Sequence, residues 1–152
     1  MRPVEVRPTD PRILPLITSH LRLMRASSPA CSVHAMEAND LDAEGVRFFA
    51  VFHGDHALAM GALKAISDVH GELKSMHVRG DHRGEGLADA ILECLLAEAR
   101  AAGMTRVSLE TGSQEAFAAA RAFYGRNGFT TCGPFEGYGP DPHSFFMTKA
   151  LR

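Results

Sequence analysis

Cysteine is scarce in this sequence and forms no recognisable pattern. The three cysteines, Cys31, Cys94 and Cys132, lie far apart and include no C-x-x-C pair. We therefore expect neither a disulfide framework nor a zinc knuckle, and a reducing cytoplasm fits this composition. The histidines form no H-E-x-x-H pattern, and no Cys/His set has the spacing of a zinc site, so no metal is predicted.

Long apolar runs and a surplus of basic residues are also missing. No apolar stretch approaches the roughly 20 residues that span a bilayer. The segment from Met1 to Pro15 has four prolines and no apolar core, which is not typical of a secretory signal. The formal net charge is -2, whereas a nucleic-acid-binding protein needs an excess of Lys and Arg on one face. We therefore expect a cytoplasmic protein without membrane or nucleic-acid partners.

The chain of 152 residues is long enough for one domain with a proper core, so we expect a single domain over residues 1–152. Hydrophobic periodicity predicts the order β-α-β-β-β-α-β-α-β-β, in a mixed sheet with helices on its faces. The predicted helices start at Asp10, at Gly86 and at Ser113, which is taken as the cap of the last helix. One helical turn is expected around Ala35. The predicted strands cover 3–7, a hairpin over 46–66 with its turn at 54–55, 72–79, 106–110, and two strands flanking the loop 133–142.

The segment Val78 to Ala88 is the most informative part of the chain. It lies between a predicted strand and a predicted helix, and it contains three glycines and three basic residues. Glycines let backbone N–H groups turn toward a ligand, and a helix start adds unpaired N–H donors and a positive dipole end. The segment therefore predicts a site for a diphosphate.

Two common diphosphate motifs do not fit this segment. A P-loop needs Lys followed by Ser or Thr after its last glycine, and neither pair is present. A dinucleotide fingerprint needs a third glycine three residues after Gly86, where this chain has Asp89. A Rossmann unit would also begin on a parallel strand near the N-terminus rather than after an antiparallel meander.

The pattern that matches is R-x-x-G-x-A at Arg83, Gly86 and Ala88. With the strand before it, the helix after it and the Tyr124…Gly128-Phe129 ending of the next helix, the chain resembles the GNAT superfamily of acetyltransferases. The resemblance runs from about Phe48 to the C-terminus. It implies an α/β GNAT fold: a mixed, mostly antiparallel central sheet of about six to seven strands, flanked by about four helices, with strands four and five splayed apart.

The resemblance also implies acetyl-CoA as the cosubstrate, with no metal. The pantetheine arm is expected along the fourth strand, and the diphosphate on the amides of residues 83–88. Where the family often has a helix asparagine that touches coenzyme A, this chain has Phe117, so Ser113 or Gln114 is expected to replace that contact. The implied cofactor contacts are Met76, His77, Val78, Arg83, Gly84, Glu85, Gly86, Leu87, Ala88, Ser113, Phe117 and Tyr124.

Three residues are candidates for catalysis. Tyr124 matches the helix tyrosine that many GNAT enzymes place near the sulfur, where it would protonate the leaving thiolate; the alternative is a core tyrosine. Glu72 stands six residues before Val78, which on a regular strand puts both on one face, and it matches the base of histone-type members; the alternative is a salt bridge with Lys74 or Arg47. Glu110 is the rival base.

The expected function is direct transfer of the acetyl group to a primary amine of a small molecule or amino acid. Contacts with this acceptor are predicted at His34, Tyr138 and His143. Two alternatives stay open from sequence: a non-catalytic acetyl-CoA-binding regulatory or partner protein on the same fold, and a nucleotide-binding regulatory domain. Family members commonly dimerise through a sheet edge or the C-terminal strands, so a homodimer is a further possibility.

Overall fold

The computed structural model describes residues 2–27 and 37–151, which form seven strands and four α-helices. The element order matches the predicted one, with one short helix added. Short 3-10 turns lie at Gly80–His82 and Glu115–Phe117. The elements are β1 (Val4–Glu5), α1 (Leu14–Ser27), α2 (Ala38–Leu41), β2 (Val46–His53), β3 (His56–Ala65), β4 (His70–Val78), α3 (Leu87–Ala101), β5 (Arg106–Gly112), α4 (Ala118–Arg126), β6 (Thr130–Cys132) and β7 (Ser144–Ala150).

The seven strands of the described chain form one sheet in the order β1-β2-β3-β4-β5-β7-β6. β4 and β5 pair in parallel, and the other neighbouring pairs are antiparallel. The parallel pairing ends at Leu73 and Leu109, although β4 continues to Val78 and β5 to Gly112. The second halves of these strands therefore diverge. The predicted mixed sheet with splayed fourth and fifth strands is confirmed.

Apolar side chains cover both faces of the sheet. On one face, α3 and α4 pack against the strands through buried residues that include Leu92, Leu95 and Tyr124. On the opposite face, α1 packs against β2 and β3 through residues that include Ile17 and Leu21. Burial of each such side chain contributes about 1.5–3 kcal/mol relative to exposure. We call these surfaces the α3/α4 face and the α1 face.

Strand β4 contains a bulge in the half that no longer pairs with β5. The register between β3 and β4 shifts by one residue, so that Ser75 and Met76 together oppose Gly61. Ser75 has a φ of 56°, in the left-handed region. A Cβ atom at Gly61 would lie 2.7 Å from both Met76 Sδ and Ile91 Cγ2. Glycine at this position therefore leaves the space in which Met76 packs beneath α3.

The bulge makes one prediction wrong, namely that Glu72 and Val78 share a face. Side chains alternate along a regular strand, but an extra residue reverses the alternation beyond it. Leu73 and Val78 pack with the α3/α4 core. Glu72 lies on the opposite face, where Tyr138 bonds to it, and the His77 ring lies on that same α1 face against α1.

The prediction that Ser113 caps the last helix is also wrong. Helix α4 begins at Ala118, after the 3-10 turn Glu115–Phe117, and no side chain caps either element. The Ser113 hydroxyl instead donates a hydrogen bond to the Pro142 carbonyl. The loop before β7 passes beside the end of β5 and engages this side chain, a long-range contact that local sequence does not reveal.

The first helix begins later than predicted. Asp10 accepts a hydrogen bond from the Arg12 backbone N–H at 2.9 Å, which forms a turn ahead of Leu14. The helical turn expected around Ala35 lies outside the described residues. The short helix α2 begins at Ala38, soon after the description of the chain resumes at residue 37. Within the described part of the chain, no helix combines the length and apolar character needed to cross a bilayer.

Candidate active site

A cleft of about 450 Å³ opens where β4 and β5 separate, and side chains from both faces of the sheet line it. Because the two strands no longer bond to each other there, their facing backbone groups border the opening. The α3/α4 side contributes Arg83, Gly86, Leu87, Phe117, Phe123 and Tyr124, and the α1 side contributes His20, Glu72, Lys74, His77, Glu110 and Tyr138.

The turn between β4 and α3 presents backbone N–H groups to this cleft. Gly84 and Gly86 have φ values of 82° and 81°, which glycine adopts without steric cost. The first hydrogen bond of α3 runs from Ala90 N to Gly86 O, and no side chain caps the helix. The N–H groups of residues 87–89 therefore have no helical partner and carry the positive end of the helix dipole. This geometry fits a bound diphosphate.

The basic residues of the turn differ in how they are paired. Arg79 bonds to Asp81 at 2.9 Å, and His82 Nδ1 lies 3.0 Å from Glu85 Oε1. Arg83 bonds to a backbone carbonyl of β4 instead, through Nε at 3.4 Å. Among the described residues, no carboxylate neutralises Arg83. Its positive charge is therefore available beside the exposed amides.

Tyr124 approaches the cleft from α4 and is almost fully buried, at 6% exposure. Its ring packs edge-on against Phe123 and Phe129. No described residue hydrogen-bonds to its hydroxyl, and Tyr124 lines the cleft. Burial raises the pKa of this hydroxyl above its usual range. The group therefore keeps its proton at neutral pH and can donate a hydrogen bond into the cleft.

Glu72 lies on the α1 side of the cleft as part of a three-residue contact. Its side chain is 3% exposed, and its Oε2 accepts a 3.1 Å bond from Lys74 Nζ and a 2.6 Å bond from the Tyr138 hydroxyl. Lys74 also donates to the Tyr138 oxygen at 3.0 Å. Burial and the Glu72 carboxylate together raise the pKa of Tyr138. The salt bridge with Lys74 that was the alternative for Glu72 is present, and it borders the cleft.

Glu110 borders the same side of the cleft from β5. Its Oε2 accepts a 2.6 Å hydrogen bond from the Ser144 hydroxyl at the start of β7. His143, the preceding residue, lines the cleft, and its carbonyl accepts the Ser113 N–H. The loop before β7 thus closes one side of the opening, and its Tyr138 ring packs on Phe146.

Two buried histidines face each other at the other side of the opening. His20 Nδ1 on α1 lies 3.3 Å from His77 Nδ1 on β4, so one ring donates and the other accepts. Burial lowers the pKa of His20 to about 4, and the neighbouring His77 adds to this effect. Burial, with Arg83 as a second cause, lowers the pKa of His77 to about 4. Both rings are therefore neutral at pH 7.

Comparison with known proteins identifies the family. The model of the acetyltransferase (GNAT) family matches residues 14–129. The chain belongs to this family. It is therefore an acyl-CoA-dependent acetyltransferase.

Relatives and a solved structure agree with this assignment. The uncharacterized N-acetyltransferase YsnE of Bacillus subtilis is 40% identical over 143 residues, covering 94% of this chain and 95% of that protein. YedL of Escherichia coli, also an uncharacterized N-acetyltransferase, is 38% identical and covers 94% and 90%. A Klebsiella pneumoniae crystal structure assigned as an acyl-CoA N-acyltransferase superposes with a TM-score of 0.79 at 30% identity, covering 99% and 97%.

Most of the residues predicted for the site line the cleft of this GNAT enzyme. Glu85 and Ser113 do not: Glu85 is paired with His82, and Ser113 is bonded to the loop before β7. His34 lies outside the described residues. The predicted residues that the structure brings to the cleft are Glu72, Met76, His77, Val78, Arg83, Gly84, Gly86, Leu87, Ala88, Glu110, Phe117, Tyr124, Tyr138 and His143.

Sequence reasoning missed the His20 side chain and the inward position of Lys74. His20 stands between the apolar Ile17 and Leu21 on the buried side of α1, so a polar residue within an apolar stripe was the available signal. Lys74 alternates with Glu72 on one strand, which indicated a salt bridge but not its burial in a cleft. Among residues 2–27 and 37–151, no group of three or more His, Cys, Asp or Glu side chains is placed to hold a metal ion.

Proposed function

We propose that this GNAT enzyme transfers the acetyl group of acetyl-CoA directly to a primary amine of a small molecule or amino acid. One observation carries the proposal. The Glu72 carboxylate and the Tyr124 hydroxyl reach the same cleft from opposite faces of the sheet, at the point where β4 and β5 separate. A base on one side and a hydrogen-bond donor on the other can assist the two proton transfers of amide formation from a thioester.

Acetyl-CoA would approach from the α3/α4 face. The amides of residues 83–88 and the uncapped start of α3 would hold its diphosphate, with Arg83 adding charge. The pantetheine arm would lie along Met76, His77 and Val78, as an added strand beside the unpaired edge of β4. This orientation delivers the acetyl group into the opening between the strands.

The backbone of Val78 is the better candidate to polarise the acetyl carbonyl. Arg79 N donates to Leu58 O on β3 at 2.8 Å, and backbone groups alternate in direction along a strand. The N–H of Val78 is therefore expected to face the gap, whereas that of His77 faces β3. A fixed donor aimed at the developing oxyanion lowers the barrier without any rearrangement.

The reaction would proceed by direct attack. The ammonium group of the acceptor first gives one proton to Glu72, which releases it to solvent, because an ammonium nitrogen has no lone pair. The neutral amine nitrogen then forms a bond to the thioester carbon while Glu72 takes its second proton, which also leaves to solvent. The carbon–sulfur bond then breaks, and the leaving thiolate accepts a hydrogen bond and then a proton at Tyr124, which regains its own proton from solvent. The products are an amide and the free thiol of coenzyme A. Glu110 remains the rival base.

A thiol-release assay with acetyl-CoA and a panel of primary amines tests this proposal. We expect Glu72→Gln to lower kcat by about 100- to 10,000-fold, the usual contribution of a general base. Glu110→Gln is the matched control, for which we expect a loss of about tenfold or less. If kcat falls more in Glu110→Gln than in Glu72→Gln, then Glu110 rather than Glu72 is the base. No turnover of any amine by the wild-type enzyme would contradict the proposal itself.

A further inference from the structure

The ion pair between Glu72 and Lys74 needs an explanation beyond stability. Their side chains are 3% and 10% exposed, and the Glu72 carboxylate lies 3.1 Å from the Lys74 ammonium. Removing two charges from water costs about as much as their attraction returns, so a buried ion pair is weak evidence of a stabilising role. This pair also borders a cleft rather than the apolar core. A charged ligand offers a direct reason for its position.

Each member of the pair has hydrogen-bonding capacity that the described residues do not use. Both bonds to Glu72 end on Oε2, and Oε1 accepts none from any described residue. Lys74 donates to Glu72 and to Tyr138, which leaves one of its three N–H donors without an acceptor among those residues. An acceptor oxygen and a donor nitrogen therefore stand side by side at the cleft.

We infer that the Glu72–Lys74 pair selects a zwitterionic acyl acceptor, an amino acid whose amine contacts Glu72 and whose carboxylate contacts Lys74. This inference rests on the proposed function and narrows its acceptor class. In an α-amino acid the ammonium and carboxylate groups are attached to one carbon. They can therefore contact the neighbouring Glu72 carboxylate and Lys74 ammonium at the same time.

Charge explains why an amine without a carboxylate fits less well. Such an amine arrives as an ammonium ion and places a second positive charge beside Lys74, in a site where water screens poorly. The carboxylate of an amino acid offsets that charge. Of the other titratable groups on the α1 side, His20 and His77 are neutral at pH 7, and the Glu110 carboxylate, which adds negative charge to the cleft, is hydrogen-bonded to Ser144 at the start of β7.

The test compares amino acids with their decarboxylated counterparts. Leu23, Met24 and Met60 line the α1 side of the cleft, so apolar side chains are included: leucine with isoamylamine, phenylalanine with phenethylamine, and lysine with cadaverine. For at least one pair we expect kcat/KM of the wild-type enzyme to favour the amino acid by about 100-fold or more, because a site built for a polar group rejects a substrate that lacks it.

Variants of Lys74 separate recognition from a structural role. Lys74→Met should reduce the preference to about tenfold or less, with the KM for acetyl-CoA unchanged, whereas Lys74→Arg keeps the charge and should retain most of the preference. If Lys74→Met fails to fold, inhibition of the wild-type enzyme by the two kinds of product still tests the inference. The N-acetylated amino acid should inhibit competitively, and the N-acetylated amine should bind at least tenfold more weakly.

Several results would overturn the inference. One is an equal kcat/KM for the amino acid and its decarboxylated amine in every pair. Another is an equal loss of kcat/KM for both substrates in Lys74→Met. The third is equal inhibition by the N-acetylated amino acid and the N-acetylated amine. Turnover of other amines without turnover of any amino acid would overturn the inference while the proposed function stands. Failure to acetylate any amine would overturn both.

Discussion

The two sides of the cleft are built from different parts of the chain. On the α3/α4 side, the groups proposed to hold the cosubstrate are mainly backbone N–H groups of the turn Arg83–Ala88 and the start of α3. On the α1 side they are side chains from separate elements, with Glu72 and Lys74 on β4 and Tyr138 in the loop before β7.

Backbone groups on one side and side chains on the other suit different kinds of ligand. Backbone amides in a fixed turn suit the diphosphate of a cosubstrate, because their geometry depends on main-chain conformation rather than on particular side chains. Side chains held by long-range contacts can be exchanged one at a time, so they suit the choice of acceptor. Each variant below changes one side of the cleft or the bulge in β4, the strand that borders both sides.

The largest effect is expected on the backbone side. Gly86→Asp should weaken acetyl-CoA binding by at least about 100-fold in calorimetry, because it places a carboxylate beside the proposed diphosphate site, where its negative charge repels the phosphates. Gly103→Asp is the matched control, since Gly103 ends the same helix with a similar φ of 86° and open space around it. Equal affinities in both variants would contradict this placement of the cosubstrate.

Removal of the Tyr124 hydroxyl should have the next largest effect. Tyr124→Phe keeps the ring packing but removes the proposed hydrogen bond to the leaving thiolate, and such a bond is worth about 1.5–3 kcal/mol when the partner is charged. We expect kcat to fall by about 10- to 100-fold while the affinity for acetyl-CoA changes little. Steady-state kinetics and equilibrium binding measure the two quantities, and a fully active variant would remove Tyr124 from the mechanism.

The bulge can be tested through the glycine opposite it. Gly61→Ala places a Cβ atom 2.7 Å from Met76 Sδ and Ile91 Cγ2, and overpacking of this kind costs about 1–3 kcal/mol. Urea denaturation should show this loss, together with a lower kcat because Met76 borders the cleft. Gly133→Ala, in open space, is the control. Unchanged stability and kcat in Gly61→Ala would show that the bulge does not depend on this glycine.

An effect confined to acidic pH concerns the stability of the α1 side. The folded protein holds His20 and His77 neutral with pKa values of about 4, below the usual 6.5. As the pH falls from about 6.5 to about 4, the unfolded chain binds protons that the folded chain does not, so stability is lost over that range.

A His20→Gln/His77→Gln variant isolates this effect. Its stability should fall less steeply between pH 6.5 and 4 than that of the wild type, by several kcal/mol over the range, because each lowered pKa contributes about 1.4 kcal/mol per unit. Urea denaturation at a series of pH values measures the difference. Parallel pH dependence of the two proteins would show that these histidines are not held neutral.

Local signals predicted the backbone side well. The glycine spacing of the turn, the apolar stripe of α3 and the Gly54-Asp55 hairpin all follow from residues close in sequence, and the structure contains each of them. The motif resemblance added the splayed strands, which periodicity alone does not predict.

The α1 side of the cleft was predicted less well because contacts between residues distant in sequence determine it. The bulge lies where Met76 packs against the α3/α4 core, and it places Glu72 and Val78 on opposite faces of the sheet. The Glu72 partner Tyr138 is 66 residues away in sequence. Ser113 was assigned to a helix cap, but a loop residue, Pro142, accepts its hydrogen bond.

The central claim is that cosubstrate and acceptor enter from opposite faces and meet between β4 and β5. A crystal structure with a bound acetyl-CoA analogue whose thioester is replaced by a stable thioether tests it most directly. We expect the diphosphate on the amides of residues 83–88 and the acyl group in the gap, on the Glu72 side. A diphosphate bound elsewhere, or an acyl group that stays on the α3/α4 face away from Glu72, would contradict the account.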